Sequence, residues 1–255
     1  MKKSLSVNLN KIALIRNSRE GNYPSVLDHA NVCIDNGADG ITIHPRPDLR
    51  HIKPQDAYDL STLISKLKNS IMRPIELNIE GNPFAPKQLN YPGFIKLVDE
   101  IQPDQCTLVP DTKTQLTSDH GFDLGLDGDK LYPIITRLKS LGIRVSLFVE
   151  PSLSCIKLAS ELGASRIELF TGPYAAAYGT NELENIFEQY VISAKFAHEL
   201  GLGVNAGHDL NLNNILKFSS IPELQEVSIG HALIVDAIRI GLGETVRCYK
   251  SILSS

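Results

Sequence analysis

Four cysteines are too few and too scattered to organise a fold. Cys33, Cys106, Cys155 and Cys248 form no C-x-x-C pair, and each sits in an apolar context. That excludes a disulfide framework and a cysteine zinc site, and it predicts reduced core thiols. Positive charge is equally short. The formal net charge is −4, with no run of lysine and arginine, so neither a nucleic-acid footprint nor a membrane-surface helix is indicated. No window reaches roughly 18 uninterrupted apolar residues, which excludes a membrane-spanning helix. The basic N-terminal start is interrupted by Asn8, Asn10 and Lys11 and lacks a small-residue cleavage site, so it does not read as a signal peptide; the cytoplasm is the expected location. Also missing are a G-x-G-x-x-G after the first strand, which weakens a Rossmann reading, and any linker or low-complexity tract. A single domain over residues 1–255 is expected, with 42% hydrophobic residues available for its core.

What is present is a repeating unit. Short β-rich runs occur at 5–9, 40–44, 74–79, 105–109, 144–149, 165–170, 202–206 and 226–230. Between them lie stretches of helical periodicity, such as Leu183, Ile186, Phe187, Tyr190, Val191 and Ala194. Glycines in "NGADG", "LGI", "LGAS" and "LGLG" fall where helices would stop before the next strand, and Asn181 with Glu184 reads as a capping pair. Eight alternating β and α units in this length predict an α/β protein, a closed (β/α)8 TIM barrel. Two connections, 80–93 and 110–123, are long enough to be lids or binding loops, and both follow strands on one face of the barrel.

The predicted strands end in chemistry. In a (β/α)8 barrel all C-terminal strand ends open on one mouth, which would gather Asn8, His44, Arg46, His51, Glu76, Glu168, Thr171, His208, Gly230 and His231. Three histidines at matching ends suit proton transfer near neutral pH. Glu76, in the alternating "IELNI", reads as an inward carboxylate that needs a partner or a task. Glu168 reads equally as a structural partner for a cation or as part of the site, and Asn8 and Thr171 could serve backbone groups alone. Gly207 and Gly230, each before a histidine in the loops after strands seven and eight, suit an anion site; with Arg16, Arg46 and His51 they suggest more than one anionic group. His44, Glu76, Glu168, His208 and His231 could instead be nitrogen and oxygen ligands of a divalent metal, although no H-x-H or H-E-x-x-H spacing supports it. Apart from Lys11, just beyond strand one, no strand-end lysine offers a Schiff base.

The successive blocks "VNLNKIALIRN", "GADGITIHPRPDLRHI", "IELNI", "LVPDTKTQLTSDHGFD", "VSLFVEP", "IELFTGPYA", "NAGHDLNLNNI" and "IGHALI" resemble, in order and over nearly the whole chain, the pyridoxine 5′-phosphate synthase family. The resemblance implies a cytoplasmic TIM-barrel homo-octamer without metal or organic cofactor. Its two phosphorylated partners would be 1-deoxy-D-xylulose 5-phosphate and 3-amino-2-oxopropyl phosphate, condensed to pyridoxine 5′-phosphate, phosphate and water. By motif match it implies His44 and Glu76 as proton acceptors and His208 as proton donor. It assigns Asn8, Arg16, His208, Asp209, Gly230 and His231 to the aminoketone phosphate, and Arg46, His51 and Thr117 to the deoxyxylulose phosphate. The loop at 110–123 resembles the family's lid. Asn10-Lys11 stands where the family commonly has Asp-His, Asp209 stands where glycine is frequent after the histidine, and the 80–93 loop is longer than expected. Two other readings stand beside this one: a metal-dependent sugar-phosphate isomerase or epimerase, and a non-catalytic phosphometabolite-binding barrel.

Overall fold

In the computed structural model, which describes residues 3–70, 73–112 and 114–254, eight parallel strands close into a barrel: β1 (Ser4–Asn8), β2 (Gly40–Ile43), β3 (Glu76–Gly81), β4 (Gln105–Leu108), β5 (Arg144–Val149), β6 (Arg166–Leu169), β7 (Gly203–Gly207) and β8 (Leu224–Ile229). Each strand pairs with the next, and β8 closes on β1 through Leu5 opposite Val227 and Val7 opposite Ile229. The helices are α1 (Asn10–Arg16), α2 (Val26–Asp35), α3 (Pro54–Lys68), α4 (Phe94–Ile101), α5 (Leu124–Ser140), α6 (Leu153–Glu161), α7 (Gly172–Ala177), α8 (Leu183–Glu199), α9 (Ile215–Phe218), α10 (His231–Ile240) and α11 (Leu242–Ser254). The expected TIM barrel is the observed fold. Lys113, within the predicted loop at 110–123, lies outside the described residues. Among the described residues no helix is long and apolar enough to cross a membrane.

Strand alternation divides the core into two different environments. One set of side chains, including Leu5, Val7, Ile41, Ile43, Leu77, Ile79, Val145, Leu147, Val227 and Ile229, is buried against the helices and supplies the hydrophobic stabilisation. The alternate set faces inward and, apart from residues such as Phe148, is polar. Ser6 and Thr42 share a hydrogen bond of 2.7 Å, Thr42 accepts from Asn78 at 3.3 Å, and Thr107 donates to Asn78 at 3.1 Å. Asn205 on β7 and Glu226 on β8 both reach Gln105 on β4, each at 3.3 Å, across the barrel. Barrel interiors are commonly filled by branched apolar side chains; here hydrogen bonds hold the centre, and each buried polar group needs its partner.

The predicted helix stops are present. Gly37, Gly142, Gly163 and Gly201 adopt positive φ just beyond α2, α5, α6 and α8, as left-handed helix ends require. The capping pair is not. Glu182, not Asn181, flanks α8 and makes no side-chain cap, while Glu184 instead accepts from Lys217 at 2.8 Å. All four cysteines are free, but only Cys33 and Cys106 are fully buried; Cys155 and Cys248 are half-buried on helices.

Candidate active site

A cavity of about 360 Å³ opens at the C-terminal strand ends, a volume suited to small-molecule ligands. Its lining includes Asn8, Asn10, Lys11, His44, Arg46, His51, Thr117, Glu168, His208, Asp209, Gly230 and His231, so most of the sequence-predicted residues converge. Glu80, Arg50, Leu116, Ser118, Phe148 and Ser228 also line it.

Glu76 does not join them. It is the first residue of β3 and lies at the opposite mouth, in a separate cavity with Arg73, Asp39 and Glu226. Its carboxylate is gripped by Arg144 through both oxygens. Burial opposes its ionisation, but the Arg144 hydrogen bond and charge prevail and hold its pKa below the usual carboxylate value. The carboxylate at the active mouth is Glu80, on the same face of β3 four residues later and therefore ~13 Å further along the strand. Glu80 is buried, and its pKa is pushed up to about 7, first by burial and then by Asp111 and Glu226, against the opposing pull of His44 and His208. A carboxyl so poised exchanges protons near neutral pH.

The side chains around Glu80 form a short network. Asn8 donates to Glu80 Oε2 at 3.2 Å and accepts from the Asn10 backbone at 3.0 Å, while Asn10 accepts from the His44 backbone at 2.9 Å. His44 lies between two carboxylates: Nδ1 is 3.9 Å from Glu80 and Nε2 is 3.2 Å from Asp111. Asp111 also binds Arg46 at 2.9 Å. Burial resists its ionisation, but His44 and Arg46 overcome that and keep its pKa low. Sequence reading missed Asp111 because it sits three residues beyond β4. His51 is buried, and its Nδ1 accepts from the Ile52 backbone at 2.9 Å. Its pKa is lowered to about 3 by burial and by the neighbouring His44, Arg46 and Lys11, leaving a neutral ring with Nε2–H as donor.

Arg16 and Thr171 support the site from behind. Arg16 is buried in a two-pronged pair with Asp56 and also donates to the His51 carbonyl at 3.2 Å, so its guanidinium is engaged in fixing the His51 loop and does not line the cavity. The Thr171 hydroxyl donates to the Gly207 carbonyl and accepts from Asp209 N–H at 3.2 Å, and Asp209 N–H also donates to the Gly207 carbonyl at 2.9 Å. The turn after β7 therefore has no free Asp209 N–H for an anion, contrary to the sequence reading. At the other predicted anion position, α10 begins at His231 on the cavity wall, where a helix N-terminus favours negative charge.

Glu168 is deeply buried, with Oε2 unpartnered. Burial, reinforced by Glu80 and Glu226, raises its pKa well above the usual value, which favours the protonated form. Among the described residues no cationic side chain pairs with it. The loop after β4 reaches the cavity at Leu116, Thr117 and Ser118: Arg46 donates to the carbonyl of Thr112 at 2.6 Å, Arg50 to those of Gln115 and Leu116 at 3.0 and 3.1 Å, and Thr117 meets His208 Nε2 at 2.7 Å. The five side chains considered as metal ligands do not converge, because Glu76 is at the far mouth, and among the described residues no three His, Cys, Asp or Glu side chains are grouped to hold a metal ion.

Residues 5–255 match the family described as pyridoxal phosphate biosynthesis protein PdxJ. The chain belongs to the PdxJ family. Relatives named pyridoxine 5′-phosphate synthase include one from Xanthomonas campestris pv. campestris (strain B100), 50% identical over 100% of this chain and 97% of its own, and one from Xylella fastidiosa (strain M12), 48% identical over 98% of this chain and 95% of its own. As a PdxJ-family member the chain is a biosynthetic enzyme, a ring-closing synthase. Among solved structures, a Mycobacterium tuberculosis tryptophan synthase chain aligns with a TM-score of 0.66 over 100% of this chain and 93% of its own, at 10% identity, a likeness of fold alone.

Proposed function

We propose that this PdxJ-family enzyme condenses 1-deoxy-D-xylulose 5-phosphate with 3-amino-2-oxopropyl phosphate, releasing phosphate and water and closing the pyridine ring of pyridoxine 5′-phosphate, by general acid–base catalysis. The observation that carries the reading is the facing arrangement of Glu80 with His44 on one side of the cavity and His208 on the other. The substrate amine forms the imine, so the protein needs no lysine; it must move protons during dehydration, phosphate loss and ring closure. Glu80 and His44 take protons and His208 gives them. Neutral Glu168 donates a hydrogen bond to oxygen that gains charge during water loss.

Two anion positions fit the two phosphates. Arg46 and the His51 Nε2–H serve one, with Arg46 kept in place by Asp111. The N-terminus of α10 with Gly230 and His231 serves the other. Lys11 adds positive charge between them. The lid, pinned through Arg46 and Arg50, excludes water from the intermediates. Work as a homo-octamer in the cytoplasm belongs to the same proposal and rests on family resemblance.

The test is an assay of chelator-treated protein with both phosphorylated substrates, following pyridoxine 5′-phosphate and phosphate together. Stoichiometric appearance of both supports the reading. No product from folded protein overturns it.

A further inference from the structure

The turn after β7 does more than end a strand. Side chains of adjacent residues in extended backbone point apart, yet His208 Nδ1 lies 2.8 Å from Asp209 Oδ2. Backbone geometry brings them together: His208 has φ of 62°, and Asp209 N–H donates back to the Gly207 carbonyl at 2.9 Å, the signature of a strained three-residue turn. Thr171 holds both ends of that turn. Gly207 is required there, because a Cβ would come within 2.2 Å of the Ser228 carbonyl oxygen.

We propose that Asp209 is a positioning residue for His208, holding its Nδ1–H so that Nε2 is the proton-transferring atom. The inference rests on the role given to His208 above. A carboxylate can only accept, so Nδ1 carries the hydrogen, and in the neutral ring Nε2 accepts from the Thr117 hydroxyl at 2.7 Å. The lid thus touches the reactive nitrogen itself, while Asp209 fixes which nitrogen that is. Charged and titratable groups that line the same cavity include Glu80 on β3, Glu168 on β6, His231 after the neighbouring β8, and Lys11, His44 and Arg46; the Phe170 ring packs edge-on at 5.9 Å. The hydrogen-bond partner of Nδ1 is Asp209.

Asp209→Asn keeps an acceptor for Nδ1–H and removes the charge, and Asp209→Ala removes both. The tautomer of the neutral His208 ring, read by NMR of ¹⁵N-labelled histidine and assigned with His208→Gln, should be Nδ1–H in the parent and in Asp209→Asn, and should lose that preference in Asp209→Ala. In Asp209→Ala kcat should fall about tenfold while KM stays within about twofold, and Asp209→Asn should retain more of the parent's kcat. An Nε2–H ring in the parent, or an unchanged tautomer or an unchanged kcat in Asp209→Ala, overturns the proposal. The NMR result does not depend on turnover, so failure of the parent to make product would count against the proposed reaction while the tautomer still decides whether Asp209 governs the ring.

Discussion

His44 Nε2 and Asp111 Oδ2 lie 3.2 Å apart, and the same carboxylate oxygen is 2.9 Å from Arg46. One buried acid thereby fixes a proposed proton acceptor and a proposed phosphate ligand together. Asp111→Asn removes the charge that both use and leaves Arg46 buried without it. The expected result is a fall in kcat/KM of about 10–10²-fold with both kcat and KM affected, together with a loss of stability approaching the ~3–5 kcal/mol typical of a broken buried pair. Steady-state kinetics and urea unfolding measure the two effects.

Glu80 makes stability depend on pH in a defined direction. Its folded pKa is raised to about 7 from 4.5, so between those values the native state holds more protons than the unfolded state, and stability falls as pH rises through the window. Glu80→Gln removes that penalty. The variant should melt above the parent at pH 8, and the gap should shrink toward pH 5; a thermal-unfolding series checks it.

His51 acts on the other side of neutrality. Its pKa is lowered to about 3 from 6.5, so the unfolded state binds the extra proton and stability declines as pH falls from 6.5 toward 3. His51→Gln should flatten this acid-side decline. At pH 7 the same variant should raise KM for the proposed 1-deoxy-D-xylulose 5-phosphate substrate more than it lowers kcat.

Gly207→Ala tests the turn that carries His208. The added Cβ would meet the Ser228 backbone at 2.2 Å and Glu168 Oε1 at 3.2 Å, and backbone cannot yield as a side-chain end can. A destabilisation of about 1–3 kcal/mol with loss of turnover is expected, readable by thermal unfolding and assay.

The barrel was legible because eight β-rich runs alternate with helical periodicity and glycine stops, each set by local chemistry. The site was legible wherever a histidine or glycine marks a strand end, as at His44, His208 and His231. Height along a strand was not. The alternation in "IELNIE" places Glu76, Asn78 and Glu80 on one face but says nothing of which is at the active mouth, since a period of two fixes direction only. The inward reading of Glu76 was right in face and wrong in end; β3 starts there and reaches Gly81. The pairing of Arg16, which was read as an anion ligand, and the role of Asp111 were unreadable for a related reason, because each is defined by a partner distant in sequence, Asp56 for the first and His44 with Arg46 for the second.

The most direct measurement compares Glu80→Gln with Glu76→Gln in the two-substrate assay at pH 7.5, with folding checked by circular dichroism. If Glu80 is the proton-transferring carboxylate and Glu76 only closes the far mouth with Arg144, the first variant loses roughly 10² or more in kcat and the second retains turnover within several-fold while losing stability. Near-normal turnover in Glu80→Gln, or abolished turnover in a folded Glu76→Gln, would contradict the account.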